Sequence, residues 1–477
     1  MTAGLACAAT GWAQVVALPP PPAPPLALAA PQPAPPLTVA DGKAIEAALR
    51  AAPEFPFPAW ISGAAEALAS PDPHVQAAAT AALVRAAIVL AGEEHGMLPD
   101  PSAVDPNWAL RGPYDATADF AAARAAGRIP QWAAALPRRN PAYLALLDAK
   151  ARYQAMAANG GWPELPAGLE LGPGARGLEV VRLRRRLSAE GYEGGDPQDR
   201  LFSRELGEAV ADFQARHGLR PTGRLDAATV KAMNVPVAAR IAAIDANLER
   251  ARWIPDQLPP DRIVADIPAA TVTLYENDQP ALEMRSIVGK PNKPTPLFVT
   301  HVASIEFNPP WNVPRGIARA ELWPKEAKSP GYFARHGFSV INGRLVQAAG
   351  PQSALGRIKF EIPNAFSVYM HDTPGKALFA VDSRGQSHGC VRLEKPNDLA
   401  LALLADQGWT PEKVNEAIAS AKTFWVRPKS VWAVYMLYLT AIAPDAGPVI
   451  FRPDIYGWDA KLNAALAAQG VGGPAVR

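Results

Sequence analysis

Cys390 lies in the run Ser387-His388-Gly389-Cys390-Val391-Arg392, and His371 precedes that run with fifteen residues, Asp372 to Gln386, between them. A thiol is only a few per cent ionised near neutral pH, so a nucleophilic cysteine needs a nearby base or surroundings that lower its pKa. His371 and His388 are the two histidines close to it in sequence. Gly389, directly before the cysteine, lets the backbone approach a carbonyl, and the amides of Gly389 and Cys390 are candidates for an oxyanion hole. The pattern suits acyl transfer through a thioester, at a site tuned for a thiolate.

Other chemistries fit these residues less well. Zinc held by His371, His388 and Cys390 would rest on a His-x-Cys spacing tighter than common zinc frameworks, with no second cysteine to complete it. A redox role lacks a resolving thiol, because the other cysteine, Cys7, sits in an N-terminal stretch expected to be removed. A buried, inert cysteine is the bland alternative. No metal and no cofactor are expected.

The elements that must position this pair are β-type. Arg262 to Ile267, Ala270 to Tyr275, Leu282 to Val288, Val299 to Phe307, Ala365 to His371, Val431 to Ala443 and Pro448 to Phe451 read as strands. Between them, Arg315 to Ala349 reads as helix and loop, an insertion placed to act as a lid. Its charged positions, such as Arg315, Glu321 and Lys325, are expected to form a solvated face.

Upstream the texture is helical. A helix over Ala238 to Ala251 leads into the β region, and residues 41 to 165 read as Ala-rich helices broken by Pro/Gly turns. Residues 170 to 235 form a compact unit. Val180, Leu183 and Leu187 recur at helical spacing, Leu206 to His217 forms a second amphipathic helix stopped at Gly218, and Asp226 caps a third short one. The proline run from Leu18 to Leu37 predicts an extended spacer. Leu5 to Ala13 resembles the end of a secretory signal, with cleavage expected before Gln14. Lipid attachment at Cys7 is disfavoured by Gly4.

At 477 residues with 49% hydrophobic content, the chain can bury several cores, so two to four domains are expected. Lys+Arg of 47 against Asp+Glu of 45 leaves +2, and no basic run tracks a nucleic-acid backbone, which excludes nucleic acid as a partner class. Val75 to Gly92 is apolar but carries Gln76 and Arg85, and reads as a buried helix rather than a membrane span.

The His371 to Arg392 stretch resembles the L,D-transpeptidase catalytic domain: a histidine, about fifteen residues, then Ser/Thr-His-Gly-Cys, a hydrophobic residue and Arg or Asn. Phe307-Asn-Pro-Pro-Trp-Asn-Val-Pro314, Ala354-Leu-Gly-Arg-Ile-Lys-Phe360, Pro363-Asn364 and Phe451-Arg-Pro-Asp-Ile-Tyr456 resemble its large, lidded periplasmic subgroup. The resemblance spans roughly residues 100 to 460, and the ladder from Val180 to Thr229 resembles a three-helix peptidoglycan-binding domain. By this resemblance Cys390 is the nucleophile and His371 its proton acceptor and donor, with His388 supporting and Gly389 in the oxyanion hole. Ser387, Arg392, Tyr369 and Trp311 would bind substrate. Many relatives have Gly after the first histidine where this chain has Asp372, which leaves open which carbonyl orients His371.

The resemblance implies a secreted, periplasmic, monomeric enzyme that acts on peptidoglycan tetrapeptide stems and is acylated by carbapenems. A second stem amine, water and a lipoprotein lysine remain open as acyl acceptors, and a wall-binding protein with a silent site is the reading from another class. The fold expected is multidomain α+β. It comprises a signal-like segment and linker (1–40), a helical scaffold (41–169), a peptidoglycan-binding domain (170–236), a connecting helix (237–260), a β-rich catalytic domain with a helical lid at about 315–350 (261–460) and a tail (461–477).

Overall fold

A computed structural model describes residues 34–52, 59–96, 100–110, 114–444 and 446–468. The signal-like stretch, Cys7, most of the proline run and the end of the expected tail lie outside them.

The helices begin where the sequence places caps. Thr38 and Asp41 form a reciprocal capping box at the start of Val39–Ala51, and Asp72 with Pro73 opens Pro73–Glu94. Ile45, Leu49, Leu83, Leu90, Phe120 and Ile129 close the first core. Pro73–Glu94 is long and apolar enough to cross a membrane, yet Leu83, Ala86, Ala87 and Leu90 lie in that core. One strand, Trp108–Ala109, leaves this region to pair in parallel with Leu297–His301, so the helical part also contributes an edge to the large sheet.

The three-helix unit consists of Leu178–Ala189, Arg204–Arg216 and Ala227–Met233 around Leu183, Leu187, Val210, Phe213 and Val230. Gln214 holds it shut by donating to the Arg224 carbonyl and the Thr229 hydroxyl, both at 2.9 Å. The unit is docked on its neighbours. Arg186 and Glu190 form a buried pair at 2.7 Å, and Glu190 also accepts from the Tyr153 hydroxyl. Arg216 donates to the Pro448 carbonyl, and Arg452 to that of Ala215. The helix Pro141–Ala158, which carries Tyr153, packs on Val237–Arg252 and on Phe451.

A 12-stranded mixed sheet makes the C-terminal part. Its spine is Gln279–Gly289, which pairs with Thr271–Glu276 on one side and with Val391–Leu393 on the other. From there the order continues through Met370–His371, Ile358–Glu361, Ser304–Phe307 and Phe424–Val426. The single strand expected over 299–307 is two, Leu297–His301 and Ser304–Phe307, because its halves pair with different neighbours, Ala433–Leu437 and Ile358–Glu361. The strand expected from Ala365 shrinks to Met370–His371. Ser367 has φ +58°, and the Asn364 side chain ties the turn by accepting from the Phe366 and Val368 amides. Residues 461–468, expected in a tail, belong to the helix Trp458–Ala468, which buries Trp458 and Leu462.

The insertion is more than helix and loop. Arg315–Ile317, a π-helical turn Ala318–Leu322 and Trp323–Lys328 form one broken helix, followed by Tyr332–Arg335. A hairpin of Phe338–Ile341 and Arg344–Gln347 then turns at Asn342-Gly343 and pairs with Trp311–Asn312. Val313, Leu322, Phe333, Phe338 and Leu345 give it a small core of its own.

Candidate active site

Met370–His371 runs parallel to Val391–Leu393 with His371 opposite Arg392, and antiparallel to Ile358–Glu361 with His371 opposite Lys359. Laterally paired residues point to the same face of a sheet, so two cations flank the imidazole. Cys390 precedes the first of these strands. It shares a cavity of about 760 Å³ with His371, Ser387, His388, Arg392, Tyr369 and Trp311, roofed by Ile317, Glu321 and Lys325 of the insertion. Among the described residues no hydrogen bond joins the His371 ring to the Cys390 sulfur; what they share is the cavity.

The carbonyl left open by sequence is that of Asp372, which accepts from His371 Nδ1 at 2.5 Å. That bond leaves Nε2 as the ring's free lone pair. The Asp372 carboxylate is itself fixed, accepting from the Arg357 amide at 2.8 Å and from Lys376 at 2.7 Å. Burial, then the charge of Arg392, pulls the His371 pKa down to about 3, against the backbone of Asp372 and Leu355; Lys359 adds to the fall.

Burial pushes the Cys390 thiol up, opposed by the Tyr369 N–H and hydroxyl and by the charges of Arg392 and Lys359. Both shifts favour a thiol beside a neutral imidazole at rest, the pair from which His371 would take the proton. Tyr369 is held protonated by its own burial and by Cys390, while Trp311 hydrogen-bonds its oxygen. Trp311 and Tyr369, expected as substrate contacts, both line the cavity and also form a relay of donors that ends at the sulfur.

Ser387 Oγ donates to the Cys390 carbonyl at 2.6 Å and accepts from the Gly389 amide at 3.1 Å. Both bonds stay inside the nucleophile loop. The Gly389 N–H, expected in the oxyanion hole, is therefore engaged, whereas the Cys390 N–H makes no hydrogen bond among the described residues. Gly389 adopts φ +113°, a backbone that favours glycine. Its carbonyl accepts from Thr295 Oγ1 at 2.8 Å; Thr295 in turn accepts from the Gly289 amide, and the Gly289 carbonyl accepts from Tyr456.

Arg392 makes no ion pair among the described residues and lines the cavity with Lys293 and Lys325. Glu321 is the single carboxylate in that lining. It does not join a solvated face: its Oε1 lies 2.5 Å from His388 Nε2. Sequence reasoning named neither this pair nor the buttressing Thr295. The Asn-Gly turn was the available sign of the hairpin, while Glu321 and Thr295 meet the site only through tertiary structure. Among the described residues no group of three or more His, Cys, Asp or Glu side chains could hold a metal.

Residues 260–414 match the YkuD family, described as an L,D-transpeptidase catalytic domain, and residues 176–233 match a family described as "Putative peptidoglycan binding domain". A curated Haemophilus influenzae protein named "Putative L,D-transpeptidase" is 35% identical over 240 residues, 46% of this chain and 48% of that protein. The match thus spans about half of that relative's length. Among solved structures, the L,D-transpeptidase from Mycobacterium smegmatis is 18% identical over 37% of this chain and 58% of that one, with a TM-score of 0.21. L,D-transpeptidase 3 from Mycobacterium tuberculosis is also 18% identical, over 38% and 61%, with a TM-score of 0.20. By the two family matches, the chain carries a YkuD-type L,D-transpeptidase catalytic domain over residues 260–414 and a domain of the putative peptidoglycan-binding family over residues 176–233.

Proposed function

We propose that the chain is a cysteine L,D-transpeptidase that forms 3-3 cross-links between diaminopimelate residues of peptidoglycan through a thioester on Cys390. The observation that carries this reading is one cavity in which Cys390 meets a neutral, oriented His371, the Tyr369 hydroxyl and the unpaired Arg392, on a chain that also holds a peptidoglycan-binding domain.

His371 Nε2 takes the thiol proton as Sγ attacks the carbonyl between diaminopimelate and D-alanine of a tetrapeptide stem. Distances in empty catalytic pairs of this kind close when substrate binds. The Cys390 N–H stabilises the developing oxyanion, while Tyr369, Arg392 and Lys359 favour negative charge on sulfur before the bond forms. The carbon–nitrogen bond then breaks, and D-alanine leaves with the proton from His371. An amine of a second stem, giving up its own proton to His371, attacks the thioester and releases the thiol. Arg392, Lys293 and Lys325 against one carboxylate, Glu321, suit a ligand rich in carboxylates. Such a substrate supports a location outside the cytoplasm, in the periplasm.

Muropeptide analysis of wall material incubated with the protein tests the reading. Links between two diaminopimelates support it. Trimmed tripeptides alone would make water the acceptor, and a protein lysine adduct would make it an attaching transferase. Cys390→Ala is expected to abolish both product and a carbapenem adduct at that residue; activity retained in that variant would overturn the mechanism.

A further inference from the structure

Glu321 and His388 are 67 positions apart, yet they meet over the nucleophile loop. The carboxylate comes from the insertion, and the imidazole stands two residues before Cys390. Glu321 belongs to the π-helical turn Ala318–Leu322, flanked by the α-helical Arg315–Ile317 and Trp323–Lys328. A π turn has poorer hydrogen bonds than the α-helix it interrupts and rotates the residues it carries, so it persists where it re-aims a side chain. Here the re-aimed residue is the cavity's single carboxylate.

We infer that Glu321 is a positioning residue that clasps the lid to His388 and thereby fixes the ring beside the nucleophile only when the lid is closed. The inference rests on the transpeptidase reading above. For Nε2 to bond a carboxylate it must carry the hydrogen, so Glu321 selects that form of the ring. Lys290 Nζ, 3.5 Å from the same nitrogen, cannot donate to it then and acts instead as a nearby charge. Burial pushes the Glu321 carboxyl up, but the bond to His388 and the charges of His388, Lys290 and Lys325 outweigh it and keep the carboxylate ionised. A partly exposed carboxylate–imidazole contact contributes little to stability, so the effect of this one belongs in turnover rather than folding.

Full-length protein with Glu321→Ala and Glu321→Gln tests this, with purified disaccharide tetrapeptide as donor and acceptor, and a small carbapenem as an independent acylator. Glu321→Ala is expected to lower transfer about tenfold, mainly in kcat, roughly the contribution of one charge-assisted hydrogen bond. Acylation by the carbapenem should fall less than threefold. Glu321→Gln, which keeps an acceptor, should recover part of the loss, and nitrogen NMR should show His388 losing its preference for hydrogen on Nε2 in the alanine variant alone. Transfer within twofold of wild type in Glu321→Ala, or an unchanged His388 signal, overturns the inference. Equal loss of carbapenem acylation in both variants also overturns it, since that reports damage to the nucleophile rather than an uncoupled lid. Wild-type protein that neither acylates nor transfers would count against the enzymatic reading instead.

Discussion

His371 Nδ1 donates to the backbone carbonyl of Asp372 at 2.5 Å, so the ring is held by the residue that follows it and not by a distant partner. An imidazole fixed this way has one free nitrogen and one tautomer, and burial beside Arg392 keeps it neutral down to about pH 3.

The rate of Cys390 acylation is therefore expected to show no inflection near pH 6.5, the ordinary histidine range. It should stay level from pH 8 to pH 5. Alkylation of the resting thiol by iodoacetamide should be slow at pH 7 and rise only in alkali, because burial holds Cys390 above its usual value. A bell-shaped acylation profile centred on pH 6 to 7 would contradict the neutral pair.

Gly356 is the weak point of the Asp372 support. It has φ +63°, and a Cβ there would lie 2.2 Å from Asp372 Oδ2. Gly356→Ala should displace the Asp372 side chain and with it the carbonyl that orients His371. Acylation is expected to fall at least about tenfold, with a stability loss of about 1–3 kcal/mol from the strained backbone. Carbapenem acylation rates and thermal unfolding of the same variant separate the two effects.

Tyr369→Phe removes the hydroxyl directed at the sulfur but leaves the ring that lies under Lys359 Nζ at 4.6 Å. Acylation should slow by about tenfold, the typical loss of one hydrogen bond to a charged group. Trp311→Phe acts only through Tyr369 and should cost less. A larger effect at Trp311 than at Tyr369 would mean that the indole contacts substrate directly.

Acid should destabilise the fold through two buried neutral histidines. His371 and His217 both have folded pKa values below the unfolded 6.5, so each binds its proton only on unfolding. Their contribution is complete above about pH 6.5 and is lost as pH falls, at up to about 1.4 kcal/mol per pH unit for each. Asp266 works the other way: burial raises its carboxyl to about 7, so its contribution is present at low pH and lost on the way up to 7. Burial raises the Glu306 and Asp459 carboxyls too, which opposes the histidines in the same sense, so the acid loss is shallower than two histidines alone would give. Urea midpoints should drop between pH 7 and pH 5, and His217→Phe should flatten the drop.

Much of this site was legible in the chain because its central residues are close in sequence. His371, Ser387, His388, Cys390 and Arg392 fall within 22 positions, and sheet pairing brings them together. Alternation exposed most strands of the sheet, and the stop at Gly218 and the cap at Asp226 marked the small helical unit. What stayed hidden depends on burial or on distance. The state of Cys390 follows from how deeply its sulfur sits, which no spacing reports. Glu321 looked like any charge on an amphipathic helix until the π turn aimed it at His388. The short strand before His371 lost its first residues to the turn at Ser367, a positive φ that serine does not advertise.

The docking of the three-helix unit has a mechanical meaning. A module on a flexible tether explores a volume and raises local concentration in every direction, whereas one joined by the Arg186–Glu190–Tyr153 cluster and the Arg216 and Arg452 bonds keeps a single bearing relative to the nucleophile. Where that unit grips a polymer, the catalytic cavity comes to rest at a set offset along it. On the function proposed above, such an anchor would work less as a leash than as a gauge, and the spacing of reactive stems along the strand would become part of what the protein can select.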